Sequence, residues 1–302
     1  MLCLANAIMD PTADSSPGPR KSPRPRTKRR ALLFVGKLAL FLLAFWLTVV
    51  VLMVFLEEAM IFPAPRYPTG DWEPDWLEKR DVYFESSDGT KLHGWYLEHR
   101  EPRGYLLVCH GNAEHVAYMA DFLAALRSKY RLSVFAFDYR GYGRSEGSPN
   151  EKGVLEDGEA ALAWLAAEAG IVPSDVILLG RSLGSAVAVD LASRHGARAL
   201  LLDRAFTTAP DVAAVHYRWL PVRMLMRTQL DSLSKIGRYE GPLLITHGAD
   251  DEIVPVEHGR RLLEAAGSSD KQLIEYPGMR HNDPAPKRYW DDVGQFLDRV
   301  LE

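Results

Sequence analysis

The stretch DVILLGRSLGSAVAVDLASRH (residues 175–195) joins two textures around one serine. DVILLG (175–180) is a short apolar run, as expected of a strand buried on both faces. LGSAVAVDLASRH (183–195) is rich in small residues and has helical spacing. Ser182 stands at the junction, inside Gly-x-Ser-x-Gly (180–184). A strand, a tight turn and an immediate helix would lift Ser182 to the carboxyl end of a sheet. The amino end of the helix would then face developing negative charge.

A near twin, GRSEG (143–147), has the same pattern. It runs on into SPNEKG, whose proline and glycine cannot continue a helix. Ser145 therefore reads as a loop residue, and Ser182 as the candidate nucleophile.

The surroundings repeat the strand–helix alternation. DVYFESS and KLHGWYLE flank Asp88-Gly89 as a hairpin. GYLLVCH (104–110), LSVFAFD (132–138), ARALLLD (197–203), PLLITHG (242–248) and KQLIEYP (271–277) read as strands. Residues 116–130, 151–169, 256–266 and 285–301 read as helices, and 206–240 as short helical pieces around Pro210 and Pro221. This order implies an α/β fold, a mostly parallel sheet with an antiparallel N-terminal hairpin and helices on both faces.

A serine near its ordinary pKa needs an oriented base. Two later strand ends supply acids and a histidine in the order Ser…Asp…His. THGADDEIVP offers Asp250, Asp251 and Glu252, and YPGMRHND offers His281. Spacing alone leaves the choice of acid open.

The N-terminal part has another character. Residues 10–30 hold seven Lys or Arg, two Asp and five prolines, so residues 1–30 read as a disordered basic tail. From Leu38 to Leu56, 19 residues carry no charge. About 20 such residues span a bilayer core. Residues 31–56 are expected to form a transmembrane helix rather than a cleaved signal, since they exit into EEAMIFP without a small-x-small site. The basic side predicts a cytoplasmic N-terminus, with the catalytic domain outside: periplasmic, extracellular or lumenal. Residues 57–80 are expected as a stalk packing against a catalytic domain over 81–302, Trp72 and Trp76 being costly in a free linker. The net charge of −4 gives no general pull towards nucleic acid, and two cysteines suit either side of a membrane.

The motifs CHGN, DYRGYGRSEG, GRSLG, HGADDEIVP and GMRHND, in this order, resemble the α/β-hydrolase superfamily. More narrowly, the chain resembles the membrane-anchored Bem46-like serine hydrolases, over roughly residues 80–302. The resemblance implies an α/β-hydrolase fold with a minimal cap, Ser182 as nucleophile and His281 as base. It selects Asp251 as the acid and assigns the oxyanion hole to the backbone N–H groups of Leu183 and Asn112. It explains DYRGYGRSEG as a recurring loop held by Asp138 and Arg140. Glu114 and His115 depart from the family's HGNxxN. His110 and His115, five apart, share no helical face, so no metal is expected, and no cofactor.

The expected reaction is acyl transfer to water from a small-molecule or lipid ester or thioester. The 38 or so residues between Asp203 and Pro242 are too few for a full cap. HYRWLPVRMLMR (216–227) could border an acyl groove, although a plain packing role fits its pattern better. The alternatives are a peptidase of the serine aminopeptidase type, and an idle membrane-tethered interaction protein.

Overall fold

A computed structural model describes Gly18 and residues 26–302. The basic tail expected over 1–30 lies outside these residues up to position 25, apart from Gly18. Its last five residues are helical, since α1 runs Arg26–Phe55. The chain divides into two units between Leu52 and Met53. α1, most of which lies in the first, is the one helix among the described residues long and apolar enough to cross a membrane. Leu32, Phe34, Leu40 and Phe41 lie exposed along it, a composition costly in water.

The second unit carries an eight-stranded sheet in the order β1-β2-β4-β3-β5-β6-β7-β8. The strands are β1 (Arg80–Glu85), β2 (Lys91–Leu97), β3 (Gly104–Cys109), β4 (Leu132–Asp138), β5 (Ile177–Arg181), β6 (Ala199–Asp203), β7 (Leu243–Gly248) and β8 (Lys271–Tyr276). β1–β2 and β2–β4 pair antiparallel, and every later pair is parallel. A parallel pair needs a crossover, and helices supply it.

The continuous apolar runs follow from this layering. Successive strand side chains point to opposite faces, and both faces are covered. Leu107, Cys109, Leu178 and Leu202 pack on one side with Leu162 and Leu165 of α4 (Glu151–Ala169) and Val187 and Leu191 of α5 (Leu183–His195). Their neighbours Leu106, Val108, Leu179 and Leu201 pack on the other with Leu123 of α3 (Ala120–Tyr130) and Val293 and Phe296 of α9 (Lys287–Leu301). Asn150 caps α4 by accepting the Gly153 N–H, and Gly170 ends it in a left-handed conformation.

Between β6 and β7 lie only α6 (Ala209–His216), α7 (Val222–Leu225) and one 3-10 turn, so no cap domain covers the sheet edge. α8 (Glu257–Ala265) joins β7 to β8. The segment expected as a stalk opens with a short helix, α2 (Glu57–Ile61), and falls in the same unit as the sheet. Phe62, Trp72 and Leu77 are buried and Trp76 is exposed.

Candidate active site

Ser182 sits between β5 and α5 with φ 48° and ψ −115°. A serine in this region carries strain of about 1–3 kcal/mol, tolerated where the surroundings enforce it. Here the Ser182 N–H donates to the Asp203 carbonyl (2.9 Å), and the Ser182 carbonyl accepts from the Ser185 hydroxyl (2.6 Å). Both motif glycines are required by close approach. A Cβ at Gly180 would lie 2.5 Å from the Gly184 carbonyl oxygen, and one at Gly184 2.0 Å from that of Cys109.

His281 follows β8 and Asp251 follows β7, at the carboxyl ends where the parallel sheet gathers its loops. His281 Nε2 lies 3.0 Å from Ser182 Oγ, and Nδ1 lies 2.7 Å from Asp251 Oδ2. Of the three acids left open by spacing, only Asp251 is buried and reaches His281, while Asp250 and Glu252 are exposed. Its other oxygen accepts the N–H groups of Ile253 (3.0 Å) and Val254 (2.7 Å). Burial alone would raise the Asp251 pKa. Hydrogen bonds from His247 and His281, the His281 charge and the Val254 N–H outweigh it and hold the carboxyl well below the usual range. Asp251 is therefore a carboxylate at neutral pH, able to orient the imidazole and stabilise its protonated form.

The serine opens into a cavity of about 390 Å³. Asn112 and Leu183 lie in its wall beside Ser182. Leu183 is the first residue of α5, so its N–H has no acceptor within the helix. Asn112 is fastened by its side chain, which donates to the Ile61 carbonyl and accepts from the Tyr142 hydroxyl (2.7 Å). Much of the remaining wall is apolar: Phe206, Val212, Ala213, Met226 and Leu230. From 216–227, only His216, Tyr217 and Met226 reach the cavity. Leu220 and Val222 are buried, whereas Trp219 and Met224 are exposed.

Ser145 has a different task. Its buried hydroxyl donates to the Asp138 carbonyl (2.6 Å) and accepts the His93 N–H (2.9 Å). Asp138 also accepts the Val116 and Arg144 N–H groups, while Arg140 pairs with Asp157 (2.8 Å) and Asp88 (2.8 Å). The twin motif thus closes a loop of the scaffold. His110 and His115 serve packing. His110 is buried against Tyr139 with Nδ1 2.7 Å from the Gly111 carbonyl, and burial lowers its pKa. His115 stacks between Trp72 and Tyr118.

Sequence reasoning missed three contributors. Glu114, read as a departure, accepts the Gly111 N–H (2.8 Å) and pairs with Arg181 (2.8 Å). It thereby ties the loop of Asn112 to the residue preceding Ser182. His247 lies 3.5 Å from Asp251 Oδ2 and 2.8 Å from the Val254 carbonyl, supporting the acid's loop. Buried Arg204 donates to the Asp283 carbonyl (2.8 Å), steadying the loop of His281. An acid three residues after a glycine that must present its amide is the one local signal for Glu114.

A mostly parallel sheet in this strand order, with Ser182, Asp251 and His281 following β5, β7 and β8, defines an α/β hydrolase. Residues 100–227 and 204–283 match the family described as serine aminopeptidase, S33, and the chain belongs to that family of hydrolases. An uncharacterized protein of Mycobacterium tuberculosis is 41% identical over 207 residues, which are 68% of this chain and 73% of that one. An uncharacterized membrane protein of Saccharomyces cerevisiae is 32% identical over 70% of this chain and 77% of its own length. Among solved structures, an esterase of Pyrococcus furiosus aligns with a TM-score of 0.67 at 22% identity, over 79% of this chain and 98% of the esterase.

Proposed function

We propose that the chain is a membrane-anchored serine hydrolase that cleaves carboxylic esters, thioesters or lipid acyl groups through an acyl-enzyme on Ser182. The observation that carries this reading is the continuous hydrogen-bonded path from Asp251 through His281 to Ser182 at the mouth of the cavity. His281 takes the Ser182 proton as Oγ attacks the carbonyl carbon, and Asp251 stabilises the imidazolium. The Leu183 and Asn112 N–H groups receive the oxyanion; each such donor is worth about 10²–10³ in rate. His281 then returns the proton to the leaving oxygen, sulfur or nitrogen. Water, deprotonated by the same imidazole, releases the acid.

The family's description favours one second reading, a serine aminopeptidase. Such an enzyme must pair a substrate ammonium group. Glu114 is the carboxylate of the cavity wall, and it is committed to Arg181 and the Gly111 N–H. The apolar wall suits an acyl chain better.

Anchoring rests on the composition of α1 and on the membrane protein among the relatives. Arg20 to Arg30 precede the apolar stretch, and Glu57 and Glu58 follow it. This asymmetry supports a cytoplasmic N-terminus and an outer catalytic domain. Labelling by a fluorophosphonate, lost in Ser182→Ala, tests the mechanism. Hydrolysis rates over acyl esters, thioesters and aminoacyl amides separate the two readings. Protease digestion of sealed vesicles tests the orientation, and protection of residues 60–302 from outside would reverse it.

A further inference from the structure

The family match starts at residue 100, yet part of the cavity wall comes from far upstream. Met60 and Ile61 line the cavity beside Ser182. Both sit on α2, which begins two residues after the last residue of α1.

This short segment is fastened at both ends. The Glu57 carboxylate, 6% exposed, accepts the N–H groups of Arg227 (2.9 Å) and Thr228 (2.7 Å), and the Arg227 guanidinium lies 3.6 Å away. A carboxylate is kept in such a place only when donors replace its water. Those donors lie between Met226 and Leu230, which line another part of the cavity. At the far end, the Ile61 carbonyl accepts from the side chain of Asn112, whose N–H is the proposed oxyanion donor. Phe62 enters the core, and the Pro65 carbonyl accepts the Gly143 N–H (2.8 Å). A passive tether would need none of these contacts.

We infer that residues 57–61 are a specificity element of the active site, with Met60 and Ile61 as the wall against which the acyl chain packs. Glu57 and the Ile61 carbonyl act as positioning groups for the two loops they hold. The inference rests on the serine-hydrolase reading. By chain length alone, Ile61 lies within about 20 Å of the end of α1.

The test uses the full chain in detergent micelles, with p-nitrophenyl esters from acetate to dodecanoate. The larger indole of Ile61→Trp narrows the cavity on that side, so this variant lowers kcat/KM for the dodecanoate at least about tenfold more than for the acetate, the scale of a methylene in an apolar pocket. Glu57→Ala lowers kcat for every chain length, and Glu57→Gln, which keeps an acceptor, restores most of it. Circular dichroism melts identify a variant that fails to fold; if Glu57→Ala does, Ile61→Trp decides. An unchanged chain-length profile in Ile61→Trp, with labelling and hydrolysis by the wild type intact, overturns the inference and leaves the serine-hydrolase reading standing. A folded wild type that neither labels nor hydrolyses any ester overturns that reading, and this inference with it.

Discussion

Glu114 and Arg181 form an ion pair of 2.8 Å across the two loops that carry the proposed oxyanion donors. The same carboxylate accepts the Gly111 N–H, so one side chain sets the distance between Asn112 and Ser182. Glu114→Ala should lower kcat by about ten- to a hundredfold, less than loss of a donor itself. Glu114→Gln keeps an acceptor for Gly111 and should fall between. Because the pair is only about one-fifth exposed and the Gly111 N–H is buried, Glu114→Ala should also lower stability, by about 1–3 kcal/mol, and kcat is compared at a temperature where the variant is folded. An unchanged kcat in Glu114→Ala would remove the residue from the site's architecture.

The two serine motifs make opposite predictions. Ser145→Ala leaves the buried Asp138 carbonyl and His93 N–H without their partner, costing about 1–3 kcal/mol of stability. Its kcat should stay near that of the wild type. Ser182→Ala should keep stability, or gain some, and lose activity by at least about 10⁴. Denaturant titration beside ester hydrolysis checks both.

The acid should matter through orientation. Asp251→Asn presents an amide where His281 needs an acceptor and so favours the wrong imidazole tautomer. A loss of about 10⁴ in kcat is expected, with KM nearly unchanged. Asp250→Asn, at an exposed position, should be silent. Reversed behaviour would show that the acid had been assigned to the wrong carboxylate.

Acid lability should trace partly to His258. Burial lowers its pKa from 6.5 to about 4; Asp211 and Glu257 oppose the shift, while Arg261 and His247 add to it. Between pH 4 and 6.5 the unfolded chain binds a proton that the native state refuses, so stability rises with pH there. The contribution is full above about pH 6.5 and is lost as pH falls towards 4. It is on the order of 3 kcal/mol. His258→Gln should flatten the melting temperature over this window; an unaltered slope would place the titration elsewhere.

The sheet and the placement of Ser182, Asp251 and His281 at its strand ends were legible because their signals are local. The strand read at 175–180 is Ile177–Arg181, the helix read from 183 starts at Leu183, and His281 and Asp251 fall on the expected strand ends. Each needed only an apolar run, a turn and a charge in order. The choice of Asp251 over Asp250 needed a resemblance beforehand; in the structure Asp251 is the buried one of the two and lies 2.7 Å from His281 Nδ1. What escaped depends on long-range contacts. Glu57 meets Thr228 171 residues away, and Ile61 meets Asn112 51 residues away. No periodicity encodes such pairs, so the segment read as a stalk hid a wall of the cavity. Glu114 was visible as a residue but not as a clamp, since its partner Arg181 is distant in sequence.

The central claim is that Ser182, activated by His281, is the nucleophile. Fluorophosphonate labelling of the wild type, Ser182→Ala and Ser145→Ala, each verified as folded, tests it most directly. The account predicts labelling of the wild type and Ser145→Ala, none of Ser182→Ala, and a modified peptide containing residue 182. Labelling that persists in Ser182→Ala, or a folded wild type that does not react, would contradict it.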